Sequence, residues 1–345
     1  NPLIATFTFD IFLPFLFSSN GTIMAPFFRE HNLKMMSVAN FKFAPYNRAM
    51  IATSVIIAGP TASGKSDFAH RLALRTGGVI INCDSVQIYH GIENIAASPF
   101  AGRPITPDID GVPYRLFSIL PLTQQISVAD YLGHARAQYD AAIGAGRLPI
   151  FVGGTGFYIN AIINGLSPMP DVSDDARRRA RHMVETDGDA VRAMLGEQCP
   201  ADPQRMARAL EVLLETGRPL AHWQQMPRRG AIVPRPVRIL INPPRDILAA
   251  RIAARIPQMM DGGALDEARA VIASGWDECR AIGAGELCRF LRGEIDADTC
   301  NQNWITRTNQ YAKRQRTWFR TQFDADIEIT NAPTDNDIDA LVQRL

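Results

Sequence analysis

Apolar and polar positions change period several times along this chain. Short continuous apolar runs stand at 54–58, 79–83 (VIINC), 148–152 (LPIFV), 237–242 (VRILIN) and 326–330 (DIEIT). Runs this short predict buried strands. Between them, apolar residues recur at helical spacing over 65–75, 127–144, 155–164, 246–256, 263–274 and 301–321. Strands alternating with helices predict an α/β fold, a parallel sheet flanked by helices. The stretch 96–115, rich in proline and polar turn residues, reads as a loop.

Between Gly165 and Pro236 the strand period disappears. This segment is helical in pattern, charged and rich in arginine. It opens with SPMPDVSDDARRRARHM, where Ser173-Asp174-Asp175 can start a helix, and closes with the proline-punctuated MPRRGAIVPRP. The expected organisation is an α/β core at 50–166 and 232–345, with a helical insertion domain at 167–231. Residues 1–49 differ in character, and the first 50 residues hold nine of the 17 phenylalanines. The run LIATFTFDIFLPFLF is too short to span a membrane and is interrupted by Asp10 and Pro14. We expect residues 1–49 to be upstream sequence without a role in the fold, the core to begin at Met50, and the protein to have no membrane association.

Composition narrows this picture a little. With 46% apolar residues in 345 positions, a sizeable core is available, and a formal net charge of +1 requires any nucleic-acid surface to come from local clustering. Cys83, Cys199, Cys279, Cys288 and Cys300 form no C-x-x-C pair, which fits reduced thiols in the cytoplasm. The six histidines form no metal-binding spacing.

The strongest chemical signal follows the first strand. Gly59-Pro60-Thr61-Ala62-Ser63-Gly64-Lys65-Ser66 fits G-x-x-x-x-G-K-[ST] between a strand and a helix. Such a loop turns several N–H groups toward one anion at a helix N-terminus. Lys65 adds a full charge, and the Ser66 hydroxyl is placed to bind Mg²⁺. The motif alone leaves open which phosphate is held.

Asp84 ends the second strand, at the sheet edge where ligands of open α/β sheets bind. It can ligate a metal, cap a turn or act as a general base. IFVGGTGFY (150–158) brings a second glycine loop to the same edge. A carboxylate is expected there in a nucleotide-hydrolysing motor; here the chain has Gly-Gly-Thr. Thr155 can cap the next helix or hydrogen-bond a leaving-group oxygen. Near the C-terminus, Arg307, Tyr311, Arg314 and Trp318 fall on one helical face, with Lys313, Arg316 and Arg320 beside them. That stripe suits RNA or DNA backbone plus an unstacked base, and equally a solvated helix with a tryptophan anchor.

Taken together, GPTASGKS (59–66), DSVQIY (84–89), VGGTGFY (152–158), DPQRMARALEV (202–212), RAIGAGEL (280–287) and YAKRQRTWF (311–319) resemble the tRNA dimethylallyltransferases, also called tRNA isopentenyltransferases. The similarity spans residues 51–320. It implies a P-loop NTPase-like core and an insertion that grips the tRNA anticodon stem-loop. It implies transfer of a dimethylallyl group from dimethylallyl diphosphate to N6 of the adenosine 3′ of the anticodon, by a cytoplasmic monomer using Mg²⁺.

The resemblance also assigns roles. Gly59 to Ser66, with Lys65 and Arg280, hold the diphosphate; Asp84 takes the N6 proton; Thr155 meets the bridging oxygen. Ser85, Val86 and Gln87 contact the target nucleotide. Gln204, Arg205, Met206, Ala207 and Arg208 grip RNA, as do Lys313, Arg314, Gln315, Arg316, Thr317 and Trp318, helped by Arg177 and Arg178. Three features depart from the family pattern: a shortened stretch before DPQR, Tyr114 where histidine is usual, and Ala284-Gly285 where bulkier residues are common. A small-molecule kinase and a non-catalytic RNA-binding protein are the alternatives.

Overall fold

In a computed structural model, which describes residues 54–233, 235–276 and 281–345, seven strands form one sheet in the order β3-β4-β2-β5-β1-β6-β7. β1 (Val55–Ala58) leads through the glycine loop into α1 (Lys65–Thr76) and then β2 (Val79–Asn82). A hairpin of β3 (Asp108–Ile109) and β4 (Val112–Arg115) follows, then α2 (Val128–Gly144), β5 (Pro149–Gly153) and α3 (Gly156–Asn164). After the insertion come β6 (Val237–Ile241), then helices, and finally β7 (Ile327–Ile329). All pairings are parallel except β3 with β4.

The central strands are buried along their whole length because helices cover both faces. Alternate residues separate cleanly. Ile56, Ile81 and Phe151 pack against α2 and α3 through Tyr131, Ile159 and Ile162. Val55, Ile57, Ile80 and Ile150 pack against Phe68, Ala69 and Leu72 of α1.

The predicted strands occur with small boundary shifts. The expectation of a loop over 96–115 is corrected: Asp108 to Arg115 contains the hairpin, and β4 pairs with β2. Asp110-Gly111 forms its turn with φ of 52° and 77°, the left-handed pair that a two-residue hairpin needs. Proline-rich flanks hid this signal.

The insertion contains α4 (Asp174–Thr186), α5 (Gly188–Leu195), α6 (Pro203–Thr216) and α7 (Leu220–Gln224). The Ser173 hydroxyl accepts the Ala176 N–H and starts α4; Asp202 does the same for α6, with Pro203 in its first turn. Ala180, Val191, Met206 and Leu210 make a small apolar core. The two ends of the segment clasp through reciprocal Leu166–Arg229 backbone hydrogen bonds of 2.9 Å.

On the other side of the cradle lies a helical layer. It consists of α8 (Arg245–Met259), α9 (Leu265–Ser274), α10 (Ala284–Leu291) and α11 (Ala297–Gln322), with α12 (Asp335–Val342) closing the chain against α1. α10 and α12 extend the predicted set; each has only eight residues. α11 starts earlier than expected because the Asp296 carboxylate accepts the Thr299 N–H at 2.7 Å. Among the described residues, no helix is long and apolar enough to cross a membrane. The expectations for residues 1–49, Met50 and Arg280 concern positions outside the described residues.

Candidate active site

The glycine loop forms one wall of a cavity of about 910 Å³ at the carboxyl edge of the sheet. Thr61, Lys65 and Ser66 share this cavity with Asp84, Ser85, Val86 and Gln87 after β2, with Arg251 and Arg255 of α8, and with Tyr311 of α11. Gly64 stands at φ 94° immediately before α1, so Lys65 opens the helix. The Lys65 ammonium donates to the Pro60 carbonyl at 3.2 Å. Burial lowers its pKa to about 8, Asp84 opposes the shift and Arg255 adds to it.

Two arginines of α8 brace the cradle, and the sequence reading passed over both. Arg251 donates to the Ala62 and Ser63 carbonyls at 3.2 and 3.1 Å; Arg255 donates to the Thr61 hydroxyl at 2.8 Å. Their four-residue spacing beside the core-facing Leu248, Ile252 and Ile256 was the available signal. Burial lowers the Arg255 pKa. Its Nε and the Ser63 hydroxyl are buried without a hydrogen-bond partner among the described residues. Unmatched donors and two adjacent cations are what an anion site requires.

Asp84 is held by its neighbours. Its N–H donates to Asn82 Oδ1 at 2.8 Å, and its Oδ1 accepts the Val86 N–H at 3.0 Å. The buried Asn82 amide is itself fixed on the Leu116 carbonyl at 2.9 Å. The second carboxylate oxygen of Asp84 makes neither of these bonds. Cys83, next door, is no nucleophile: burial raises its thiol pKa to about 12, against the pull of the Tyr131 hydrogen bond.

Thr155 precedes α3, but its hydroxyl caps nothing. It accepts the Ser85 N–H at 2.9 Å and reaches Ser85 Oγ at 3.2 Å. It does not line the cavity itself but is bonded to Ser85, which does. The glycines around it allow close approach: a Cβ on Gly154 would strike the Gln315 amide, and one on Gly156 would strike the Trp318 ring.

Several residues expected to face RNA turn inward. Gln315 is 6% exposed; its Oε1 accepts the Thr61 N–H at 2.8 Å and its Nε2 donates to the Gly154 carbonyl at 2.9 Å. It ties the two glycine loops together, and the Thr61 amide is thereby engaged. Met206 and Ala207 face the core of the insertion, whereas Gln204 and Arg205 are exposed and Arg208 is half-buried against Glu211. Gln87 spends its amide hydrogens on the Ala96 and Ala97 carbonyls at 3.1 and 3.0 Å. Arg177 and Arg178 are exposed and paired with Asp174 and Asp175.

On α11, Lys313, Arg314 and Thr317 are exposed, and Arg314 lies 5.7 Å from the Tyr311 ring centre. A second groove, of about 1110 Å³, runs along Lys313, Arg316 and Arg320 and is completed by Arg228 and Arg245. The cationic stripe of α11 lines that groove, while Trp304 is the fully buried anchor and Trp318 is half-buried on Gly156.

A glycine-loop cradle, opposed cations and a fixed carboxylate stand together at one edge of a P-loop NTPase-like α/β sheet. The IPP transferase family matches residues 87–322, and the Isopentenyl transferase family matches residues 52–117. A tRNA dimethylallyltransferase of Dinoroseobacter shibae is 43% identical over 286 residues, 78% of this chain and 91% of that protein. That of Gluconacetobacter diazotrophicus is 41% identical over 278 residues, 77% of this chain and 82% of its own length.

The crystal structure of tRNA isopentenylpyrophosphate transferase from Bacillus halodurans superposes with a TM-score of 0.61 at 30% identity, covering 85% of this chain and 95% of that one. A eukaryotic dimethylallyltransferase acting on tRNA, at 20% identity, shares the fold with a TM-score of 0.65 over 84% of this chain and 77% of its own. The chain belongs to the IPP transferase family.

Proposed function

We propose that this protein transfers a dimethylallyl group from dimethylallyl diphosphate to N6 of the adenosine 3′-adjacent to the anticodon of tRNA, releasing diphosphate. The observation that carries the reading is the shared cavity, which the cradle with Lys65 and Arg255 lines together with Asp84. The allylic C–O bond breaks and its electron pair leaves with the diphosphate. The N6 lone pair forms the new C–N bond, and Asp84 accepts the N6 proton. The exocyclic amine is a weak nucleophile, so holding it against the allylic carbon in a closed pocket contributes as much as the base. Loop amides, Lys65 and Arg255 stabilise the charge that grows on the leaving group.

The donor set suits Mg²⁺. The exposed Ser66 hydroxyl lies on the cavity wall with Asp67 and Asp84, and no cluster of three or more metal-ligating side chains occurs among the described residues. An ion bound by one hydroxyl, substrate oxygens and water is the habit of Mg²⁺. Ser66 holds it in this reading, and the ion neutralises diphosphate charge when bound.

The anticodon stem-loop is assigned to Gln204, Arg205 and Arg208 of the insertion and to the groove along α11. Here the backbone meets Lys313, Arg316 and Arg320 together with Arg228 and Arg245, none of which the cradle uses. Ser85 and Val86 border the extruded base. The enzyme acts as a cytoplasmic monomer in this reading.

The test is transfer of radiolabelled dimethylallyl diphosphate into unmodified tRNA in the presence of Mg²⁺, with Asp84→Asn as control. Label in acid-precipitable RNA that depends on Asp84 is the expected result. RNA binding without label would instead favour a binding protein that kept the fold.

A further inference from the structure

The donor cavity changes character away from the cradle. Two helices meet the glycine loop at Thr61: α8 through the Arg255 guanidinium on the Thr61 hydroxyl, α11 through Gln315 on the Thr61 N–H. Followed away from Thr61, both become apolar where they line the cavity. On α8, Ile256 and Met259 line it after Arg255; on α11, Trp304 lines it two turns before Tyr311. Ile282, just ahead of α10, joins them. The two helices agree on one direction, from cations at the cradle to an apolar end.

That end is stiff. Trp304 is 1% exposed, and its ring lies so close to Gly283 that a Cβ there would strike it. Met259 is 9% exposed and packs in one apolar cluster with Trp304 and Ile95. Beyond Met259 the chain leaves α8 through Gly262-Gly263, with Gly263 at φ 112°. Asn94 occupies the space beside that turn, where a Cβ on Gly262 would come within 3.2 Å of its Oδ1. Asn94 to Ala97 also line the cavity and are pinned at both ends. The Glu267 carboxylate of α9 accepts the Asn94 N–H at 2.7 Å, and the Asn94 amide and Ile95 N–H at 2.8 Å each. The Gln87 amide holds the Ala96 and Ala97 carbonyls. A wall fixed in this way cannot retreat from a ligand, so it rejects one that is too long.

Helical spacing sets the length. Met259 follows Arg255 by four residues, about 6 Å along the axis. A dimethylallyl chain spans about one such turn, and a geranyl chain about two. Building on the transferase reading, we propose that Met259, backed by Trp304, limits the donor to a single isoprene unit. The prenyl chain runs from the cradle between α8 and α11 and ends on the Met259 thioether. The wall after β2, with Asp84 and Ser85, is left to the adenine.

The experiment sets dimethylallyl diphosphate against geranyl diphosphate, at equal concentration, for one unmodified tRNA. The enzymes are wild type, Met259→Leu and Met259→Ala. Mass spectrometry of the digested tRNA gives the ratio of the two modified adenosines, which does not depend on how much of a variant is folded. Wild type should make almost only the dimethylallyl product. Met259→Ala should shift the ratio toward geranyl about 10- to 100-fold, the discrimination that a few methylenes of pocket space supply, with KM for tRNA near wild type. Met259→Leu conserves volume and should hold the ratio within a few-fold of wild type.

A wild type that uses both donors alike overturns the proposal. So does a Met259→Ala enzyme with the wild-type ratio; if its KM for tRNA rises instead, the apolar end holds the base. Should Met259→Ala transfer nothing, Met259→Val, which opens less space, is read in the same way. Wild type that transfers neither group overturns the transferase reading itself, whereas an active wild type whose ratio is indifferent to position 259 overturns only this inference.

Discussion

The donor cavity and the helical insertion are both rich in arginine and use it in opposite ways. Arg251 and Arg255 lie against the cradle, each bonded to loop backbone or to Thr61. Arg177, Arg178 and Arg192 stand in solvent, each paired with an aspartate three residues before it. In the cavity, Arg255 Nε and the Ser63 hydroxyl are buried without a protein partner among the described residues, so each group should carry a large share of the binding energy. On the insertion, water screens every pair, and affinity is spread over many weak contacts. Substitutions should therefore be all-or-none in one region and graded in the other.

The largest effect tests the cavity end of that contrast. Asp84→Asn removes the proton acceptor while keeping shape, and the Asn82 and Val86 bonds allow the amide to hold the same pose. Turnover should fall about 10²–10⁴-fold, with tRNA and diphosphate affinities near wild type; equal loss of binding would mean that Asp84 organises the site instead. Next comes Arg255→Gln. It removes a charged donor from a buried anion site, so the Kd for inorganic diphosphate should rise about 10- to 100-fold, as expected of a charge-assisted hydrogen bond. Calorimetric titration measures it, and a change below threefold would move Arg255 from ligand to brace.

The two regions also differed in how well they could be read beforehand. The cradle and Asp84 were legible because a short motif compresses strand, loop and helix N-terminus into one stretch of chain. Arg255 was not, because it lies 194 residues from Thr61 and only the packing of α8 brings them together. Gln315 misled for the opposite reason. It sits within a run of cations, and nothing local reveals that its helical position points at Gly154. Met206 and Ala207 show the same limit, since DPQRMAR reads as one basic segment while helical periodicity turns two of its members inward. The hairpin at 108–115 was announced by Asp-Gly and hidden by prolines on both sides.

A smaller effect comes from protons in the cavity. Lys65 titrates near 8 in the folded protein, below its ordinary 10.5, with burial as the main cause. It is charged below that pH and neutral above it. Diphosphate affinity should therefore weaken as pH rises past about 8, by at most about tenfold per unit for one linked proton. Lys65→Met should flatten this part of the profile, and subtracting the two profiles removes the anion's own ionisation. Stability runs the other way. Between about 8 and 10.5 the unfolded chain binds the proton that the folded one has lost, so Lys65 contributes rising stability across that window. Parallel profiles for both proteins would show that Lys65 does not meet the anion.

The smallest effects belong to the insertion and sharpen the contrast most. Arg178 has a competitor for any phosphate, because Asp175 accepts from it at 3.3 Å and must be given up. Arg205 is exposed, and its backbone N–H, not its guanidinium, meets Asp202. A free guanidinium yields its full counterion release to RNA; a paired one yields part of it. Arg205→Ala should therefore lower the slope of log K against log salt by about 0.7–0.9, the value of one phosphate contact, whereas Arg178→Ala should change it by less. Neither should alter kcat, because neither reaches the cavity. Filter binding of tRNA across a salt series measures both slopes. A loss of kcat in either variant would break the division between an all-or-none cavity and a graded surface, because RNA grip would then be setting the geometry at Asp84.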